Sequence, residues 1–279
     1  MAHLDRGGVR ISYDRFDGAG DGAVRKVGDG GSDRGHPDGG GLPLLLSHGF
    51  GASAQMWAPN LPALAATRPV ITWDMRGHGR SDCPAEQAEY TQDACVADMA
   101  TVLDACGAAR AVVGGLSLGG YLSLAFWLAF PERVAALLLF DTGPGFRSDD
   151  ARQRWNERAR ATAARLDRDG LAGLGDAPGT PDEATWSPHG LARAARGMLT
   201  QRDGRVIESL PSVDVPALVL VGADDRAFLA AADYVAAKIP GAEHVVIPGA
   251  GHVSNADQPE LFNRHVLAFL SRLGPHTAR

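Results

Sequence analysis

The pattern that most restricts this chain is a repeated alternation of short, continuously apolar runs with stretches of helical period. The runs are Leu42–Ser47, Val70–Asp74, Ala111–Gly115, Ala136–Asp141, Ala217–Gly222 and His244–Ile247. A strand with one wet face alternates apolar and polar residues, whereas a run that is apolar throughout is covered on both faces. Helical spacing is clearest over Gln92–Cys106, where Ala94, Val96, Met99, Val102, Leu103 and Cys106 share a face and Gly107 supplies the stop. Leu118–Phe130, ended by Pro131, and Asp257–Leu273 follow the same logic. Apolar strands separated by helices predict an α/β fold, with a mainly parallel central sheet and helices on both faces.

The alternation breaks between Gly145 and Arg205. This segment holds 11 Arg and 9 acidic residues, an expected helix over Asp149–Leu166, and a Pro and Gly cluster at Gly173–Pro188. It is too long for an ordinary connection, and structureless loops of that length are uncommon. We therefore expect a small helical cap over 145–205, inserted into a core made of 1–144 and 206–279. Near the other end, Val9–Phe16 reads as a short strand. Asp17–Gly41 then has ten Gly in 25 residues and almost nothing apolar. That composition cannot offset its ordering entropy, so a flexible loop is expected there. A phosphate cradle is disfavoured, because no helix follows the glycines.

Charge and cysteines narrow the class. With 33 acidic against 27 basic residues, the net charge is −6, whereas a dedicated nucleic-acid binder presents a basic surface. Cys83, Cys95 and Cys106 show no metal or redox spacing. The last two lie on one expected helix, about 16 Å apart, too far to bridge. Free thiols, no apolar leader at the N-terminus and no run of about 18 apolar residues lead us to expect a soluble, cytoplasmic protein without membrane partners.

The chemistry gathers where expected strands end. Gly115-Leu-Ser-Leu-Gly119 follows an apolar run and opens a helix, the setting a nucleophile elbow needs. Residues around Ser117 must lack bulk, and Gly115, Gly119 and Gly120 do. Alone, a Gly-x-Ser-x-Gly pattern is weak in so glycine-rich a chain, since it also suits a plain packing turn. His48-Gly-Phe-Gly51, after the first long apolar run, can supply a second element. The backbone N–H groups of Phe50 and Leu118 would form an oxyanion hole. His48 itself is expected to hydrogen-bond its own loop. A serine nucleophile needs a base and an orienting carboxylate. His252, in the Gly-rich loop 248–252 after His244–Ile247, is the candidate base. Asp225, favoured over Asp224 after Gly222, is the candidate acid. Helix capping ahead of Ala227–Lys238 is the competing use of both aspartates. The chain order Ser117, Asp225, His252 is that of an α/β-hydrolase.

Together His48-Gly-Phe-Gly51, Asp74-Met-Arg-Gly-His-Gly-Arg-Ser-Asp82, Gly115-Leu-Ser-Leu-Gly-Gly120, Gly222-Ala-Asp-Asp225 and Gly249-Ala-Gly-His252 resemble the α/β-hydrolase superfamily from Leu42 onward. The Asp257-Gln-Pro-Glu-Leu-Phe-Asn263 tail is similar to that of 3-oxoadipate enol-lactonases and small carboxylesterases. The resemblance implies a serine hydrolase acting on a small ester or lactone, with neither metal nor organic cofactor. A serine at the elbow separates it from branches that use aspartate. His78 could serve as a second base on sequence alone, but the resemblance implies a structural turn. The sequence departs from the family in Asp17–Gly41, which adds length where relatives carry a compact hairpin. In the cap, Trp155, Trp186, His189 and Met198 are candidates to line an apolar substrate pocket. Cap arginines could clamp a substrate carboxylate or simply form a solvated face paired with Asp149, Asp150, Glu157 and Asp167. The same triad also fits C–C bond hydrolysis, perhydrolysis and cyanohydrin cleavage. A non-catalytic small-ligand receptor is the alternative from another class.

Overall fold

The apolar runs become strands, and their alternate residues divide between two cores. The structure, a computed structural model, describes residues 2–18, 24–27, 41–175 and 186–273. It opens with β1 (Ala2–Arg6), β2 (Val9–Gly18), β3 (Val24–Val27) and β4 (Leu44–Ser47). Next come α1 (Leu61–Ala65), β5 (Val70–Trp73), α2 (Gln92–Ala105), β6 (Ala111–Leu116), α3 (Leu118–Ala129) and β7 (Val134–Phe140). A helical stretch follows, with α4 (Asp149–Asp169), α5 (Pro188–Ala194) and α6 (Arg205–Ser209). The chain closes with β8 (Ala217–Gly222), α7 (Leu229–Lys238), β9 (Glu243–Ile247), α8 (Ser254–Asp257) and α9 (Pro259–Arg272).

The described strands form one sheet in the order β1-β2-β5-β4-β6-β7-β8-β9, with β3 also paired to β2. β4 to β9 run parallel, and β2 joins β5, β1 and β3 in antiparallel fashion. On β7, Leu137 and Leu139 enter one core, shared with Val96 and Met99 of α2 and Val235 of α7. Leu138 and Phe140 enter the other, against Phe262, Val266 and Phe269 of α9. This two-sided burial is why β7 reads as an unbroken apolar run, and each such side chain contributes about 1.5–3 kcal/mol.

One N-terminal expectation is corrected. Asp17–Gly41 is not a loop throughout: Asp17 and Gly18 extend β2, and Val24–Val27 pairs with Arg15–Gly18 as β3. Backbone pairing along an existing edge does not require an apolar run, and Lys26 Nζ lies 2.7 Å from Asp14 Oδ1. The remaining positions, 19–23 and 28–40, lie outside the described residues. β1 was not anticipated at all; its Arg6 reaches Asp98 on α2 at 3.2 Å.

The segment between β7 and β8 is helical in its described parts. A 3-10 stretch (Gly170–Leu174) and a single π turn (Ala195–Leu199) join the α-helices. α4, α5 and the π turn build a small cluster of their own from Ala163, Leu166, Leu191, Ala192 and Ala195, against which Phe50 and Trp186 pack.

Candidate active site

In a parallel sheet, the loops beyond the strand C-termini line the functional crevice, above all where successive connections leave in opposite directions. Here the chain passes from β4 outward to β5 on one side and to β6 on the other, so the crevice falls beside β4 and β6.

Ser117 stands directly after β6. Its φ of 55° and ψ of −114° lie in territory that costs a non-glycine residue about 1–3 kcal/mol. The surrounding glycines make the turn sterically feasible. A Cβ on Gly119 would sit 2.3 Å from the Ser47 carbonyl oxygen, and one on Gly115 would sit 2.6 Å from the same atom. A Cβ on Gly120 would sit 2.6 Å from Thr142 Cγ2. The Ser117 N–H donates to the Phe140 carbonyl at 2.9 Å, and Thr142 Oγ1 donates to the Ser117 carbonyl at 2.6 Å.

The loop after β4 runs alongside. An added Cβ on Gly49 would lie 3.6 Å from Ser117 Cβ. His48 fixes this loop with both ring nitrogens: Nδ1–H donates to the Gly49 carbonyl at 2.7 Å, and Nε2 accepts the Met75 N–H at 2.9 Å. Burial pushes its pKa down, which suits a neutral ring used as a brace. Asp74 Oδ1 accepts the Ala54 N–H at 2.7 Å and anchors the far end of the loop. Among the described residues neither the Phe50 N–H nor the Leu118 N–H has a protein acceptor.

His78 is buried beside His48, Phe50 and Trp186, with ring centroids 5.1, 5.5 and 6.2 Å away. Burial, reinforced by His48, pushes its pKa down to about 3, so at neutral pH it stays unprotonated. Its Nδ1–H donates to the Arg76 carbonyl at 3.2 Å, within the turn it helps to shape.

Across the crevice, β8 and β9 deliver a carboxylate and an imidazole. The turns beyond them are bonded together: the Ala223 N–H donates to the Ile247 carbonyl at 2.8 Å, and the Asp224 N–H to the Ala250 carbonyl at 2.9 Å. His252 Nδ1–H donates to Asp225 Oδ2 at 2.7 Å. The Asp225 side chain is 4% exposed and that of His252 36%. Phe228 stacks on the imidazole at 4.9 Å with a 22° interplanar angle. Asp224 faces solvent, and the residue capping α7 is Phe228, so neither aspartate is used as the helix cap. An Nδ1–H held by a carboxylate leaves Nε2 as the ring's acceptor.

The four cap residues do not form one group. Trp186 joins Phe50 in the small cap cluster and approaches His78. Trp155 donates its Nε1–H to the Leu199 carbonyl at 2.8 Å and lies 5.9 Å from Phe146. Met198 is fully buried in the larger core. His189, in the Pro-led first turn of α5, is set apart from the other three: its side chain is 70% exposed and meets Asp167 at 3.4 Å. Among the cap arginines, Arg152, Arg168 and Arg196 pair with Asp149, Asp169 and Asp167.

Asp141 was missed by the sequence reading. It ends the β7 run as a fully buried carboxylate with a positive φ of 46°. Its Oδ1 accepts the Gly222 N–H at 2.8 Å, and its Oδ2 accepts the Ser254 hydroxyl. The available signal was a carboxylate closing an apolar strand on the functional edge of the sheet.

A strained serine after a parallel strand, a glycine-lined helix entry and a histidine–carboxylate pair thus lie on the same edge of the sheet. The sequence profile of the alpha/beta hydrolase family matches residues 44–265. A Caulobacter segnis protein provisionally named carbamate hydrolase RutD is 30% identical over 264 residues, covering 85% of this chain and 94% of that one. A Bacillus subtilis protein provisionally named 2-succinyl-6-hydroxy-2,4-cyclohexadiene-1-carboxylate synthase is 29% identical, covering 82% and 90%. A solved thermophilic esterase from Thermogutta terrifontis superposes with a TM-score of 0.78 at 26% identity, covering 98% and 99%. The chain belongs to the α/β-hydrolase family and is a hydrolase.

Proposed function

We propose that this hydrolase cleaves a small ester or lactone through a serine-bound acyl intermediate. The observation that carries the reading is the Asp225–His252 hydrogen bond on the same sheet edge as the strained Ser117. Ser117 Oγ attacks the carbonyl carbon while His252 Nε2 takes its proton. Asp225 holds the imidazole in the Nδ1–H tautomer and stabilises the imidazolium. The Phe50 and Leu118 N–H groups receive the developing oxyanion, each worth about 3–4 kcal/mol in the transition state. The protonated His252 then gives its proton to the departing alkoxide. Water, deprotonated by the same nitrogen, attacks the acyl-enzyme, and Ser117 leaves with that proton. No step calls on a metal or an organic cofactor.

Trp186 beside Phe50 and His78 supports an apolar wall for the substrate; Trp155 and Met198 support the cap behind it. His189 carries no role in this reading. The esterase relative favours an oxygen ester, and the carbamate hydrolase relative adds a carbamate carbonyl as a related substrate for the same steps. Hydrolysis of p-nitrophenyl esters, a lactone panel, an alkyl carbamate and a 1,3-diketone should be measured for the wild type and Ser117→Ala. Ester or lactone turnover that falls by several orders of magnitude in the variant is expected. Activity within tenfold of wild type in Ser117→Ala would overturn the nucleophile, and turnover of the diketone alone would replace ester hydrolysis by C–C cleavage.

A further inference from the structure

Three consecutive residues at the end of β7 bond to Ser117 and to the segments that carry Asp225 and His252. Phe140 accepts the Ser117 N–H, and Thr142 donates to the Ser117 carbonyl. Between them, Asp141 points the other way. Its own N–H donates to the Leu220 carbonyl on β8 at 2.9 Å. Its two carboxylate oxygens take the Gly222 N–H, three residues before Asp225, and the Ser254 hydroxyl, two residues after His252. No residue of the acyl-transfer scheme uses this carboxylate, and a fully buried acid held in a left-handed backbone conformation is expensive to keep.

We propose that Asp141 is a positioning residue that holds the Asp225 turn and the His252 loop in register with Ser117. The proposal rests on the Ser117–His252–Asp225 reading. Each connection has a physical function. The Gly222 bond fixes the point where the Asp225 turn leaves β8. The Ser254 bond fixes the start of α8, so the His252 loop is held at its outgoing end. Asn255 Nδ2 adds a second anchor by donating to the Met56 carbonyl at 2.9 Å. The strand register carries these restraints to Ser117 through Phe140 and Thr142. One strand end thus sets the spacing between nucleophile and base.

The titratable groups that face Asp141 are His252 from the loop after β9 and Asp225 from the turn after β8. Burial first, then the Asp225 charge, push its pKa up to about 7, against the pull of Ser254, the Gly222 N–H and His252. A carboxyl that changes charge near neutrality beside the base should leave its own trace in the pH profile.

The backbone conformation selects the variants. Asparagine tolerates a positive φ and offers one acceptor to Gly222 and one donor to Ser254, whereas alanine loses both bonds. For p-nitrophenyl acetate hydrolysis between pH 5.5 and 9, Asp141→Ala is expected to lower kcat by about 10²-fold, the scale for a 1 Å misplacement, with little change in KM. Asp141→Asn should recover most of that loss and remove one ionisation near pH 7. The downfield proton resonance of the His252–Asp225 hydrogen bond should persist in Asp141→Asn and vanish in Asp141→Ala. If Asp141→Ala fails to fold, Ser254→Ala tests the same connection and should lower kcat by about tenfold, one hydrogen bond's worth. Wild-type kcat and an intact resonance in Asp141→Ala, or in Ser254→Ala where that stands in, would overturn the proposal. Ser117→Ala, run alongside, separates the two failures: if it stays active, the serine reading falls rather than the positioning one.

Discussion

Gly222→Ala is a perturbation whose size can be worked from the structure. Gly222 ends β8 with an ordinary backbone, so alanine meets no conformational penalty there. The obstacle is space: its Cβ would lie 2.2 Å from the Gly251 carbonyl oxygen and 2.4 Å from that of Ala250, where ordinary contact begins at 3.4 Å. Both atoms are main chain and cannot rotate aside. The 249–252 loop must therefore retreat by about 1 Å, and a shift of that size typically lowers turnover about 10²-fold. His252 is the next residue along, and its 2.7 Å bond to Asp225 spans the gap that opens. Overpacking should also lower stability by about 1–3 kcal/mol. Steady-state ester hydrolysis and thermal unfolding, measured on the same preparation, separate the two effects. Gly107→Ala is the control: at φ 66° it strains the turn after α2 but meets nothing within 4 Å, so it should lower the melting point and spare kcat. A Gly222→Ala enzyme that is folded and turns over within threefold of wild type would refute the reasoning.

Other expectations follow from buried charge. The folded pKa of Asp141, about 7, lies above its unfolded value of 3.8, so between those pH values the folded state keeps a proton that the unfolded chain has released. That contribution is full below pH 3.8 and is lost as pH rises toward 7, by about 1.4 kcal/mol per unit. Wild-type melting points should thus fall more steeply between pH 5 and 7.5 than those of Asp141→Asn; parallel curves would contradict the assignment. Asp98→Ala should destabilise the fold by about 3–5 kcal/mol in urea titrations, because it strands a fully buried Arg76 that Asp98 grips at 2.7 and 2.8 Å. A loss below 1 kcal/mol would mean that water or Glu89 compensates.

The sheet was legible because its central strands are buried on both faces and so read as unbroken apolar runs, Val134–Phe140 and Ala217–Gly222 most plainly. The edge was not. β1 (Ala-His-Leu-Asp-Arg) has a single large apolar side chain, and its place depends on pairing with β2 and on Arg6 reaching Asp98. β3 is hidden among glycines for the same reason: a ladder can order a segment whose side chains supply little. At the site, strand-end motifs singled out Ser117 and His252, since glycine spacing reports where a backbone must pass closely. Asp225 was favoured over Asp224 by its position after Gly222, and tertiary structure separates the two fully by turning one inward and the other to solvent. Asp141, although it closes an apolar run, was not singled out for a related reason. Its partners, Gly222 and Ser254, lie 81 and 113 residues away, and no local pattern encodes that meeting.

The most direct test of the account is covalent labelling of the wild-type chain with a fluorophosphonate, followed by peptide mass spectrometry. The account predicts one adduct, on Ser117, abolished by prior incubation with a turned-over ester and absent from Ser117→Ala. An unlabelled Ser117 in a folded chain, or an adduct that persists in the Ser117→Ala variant, would contradict it.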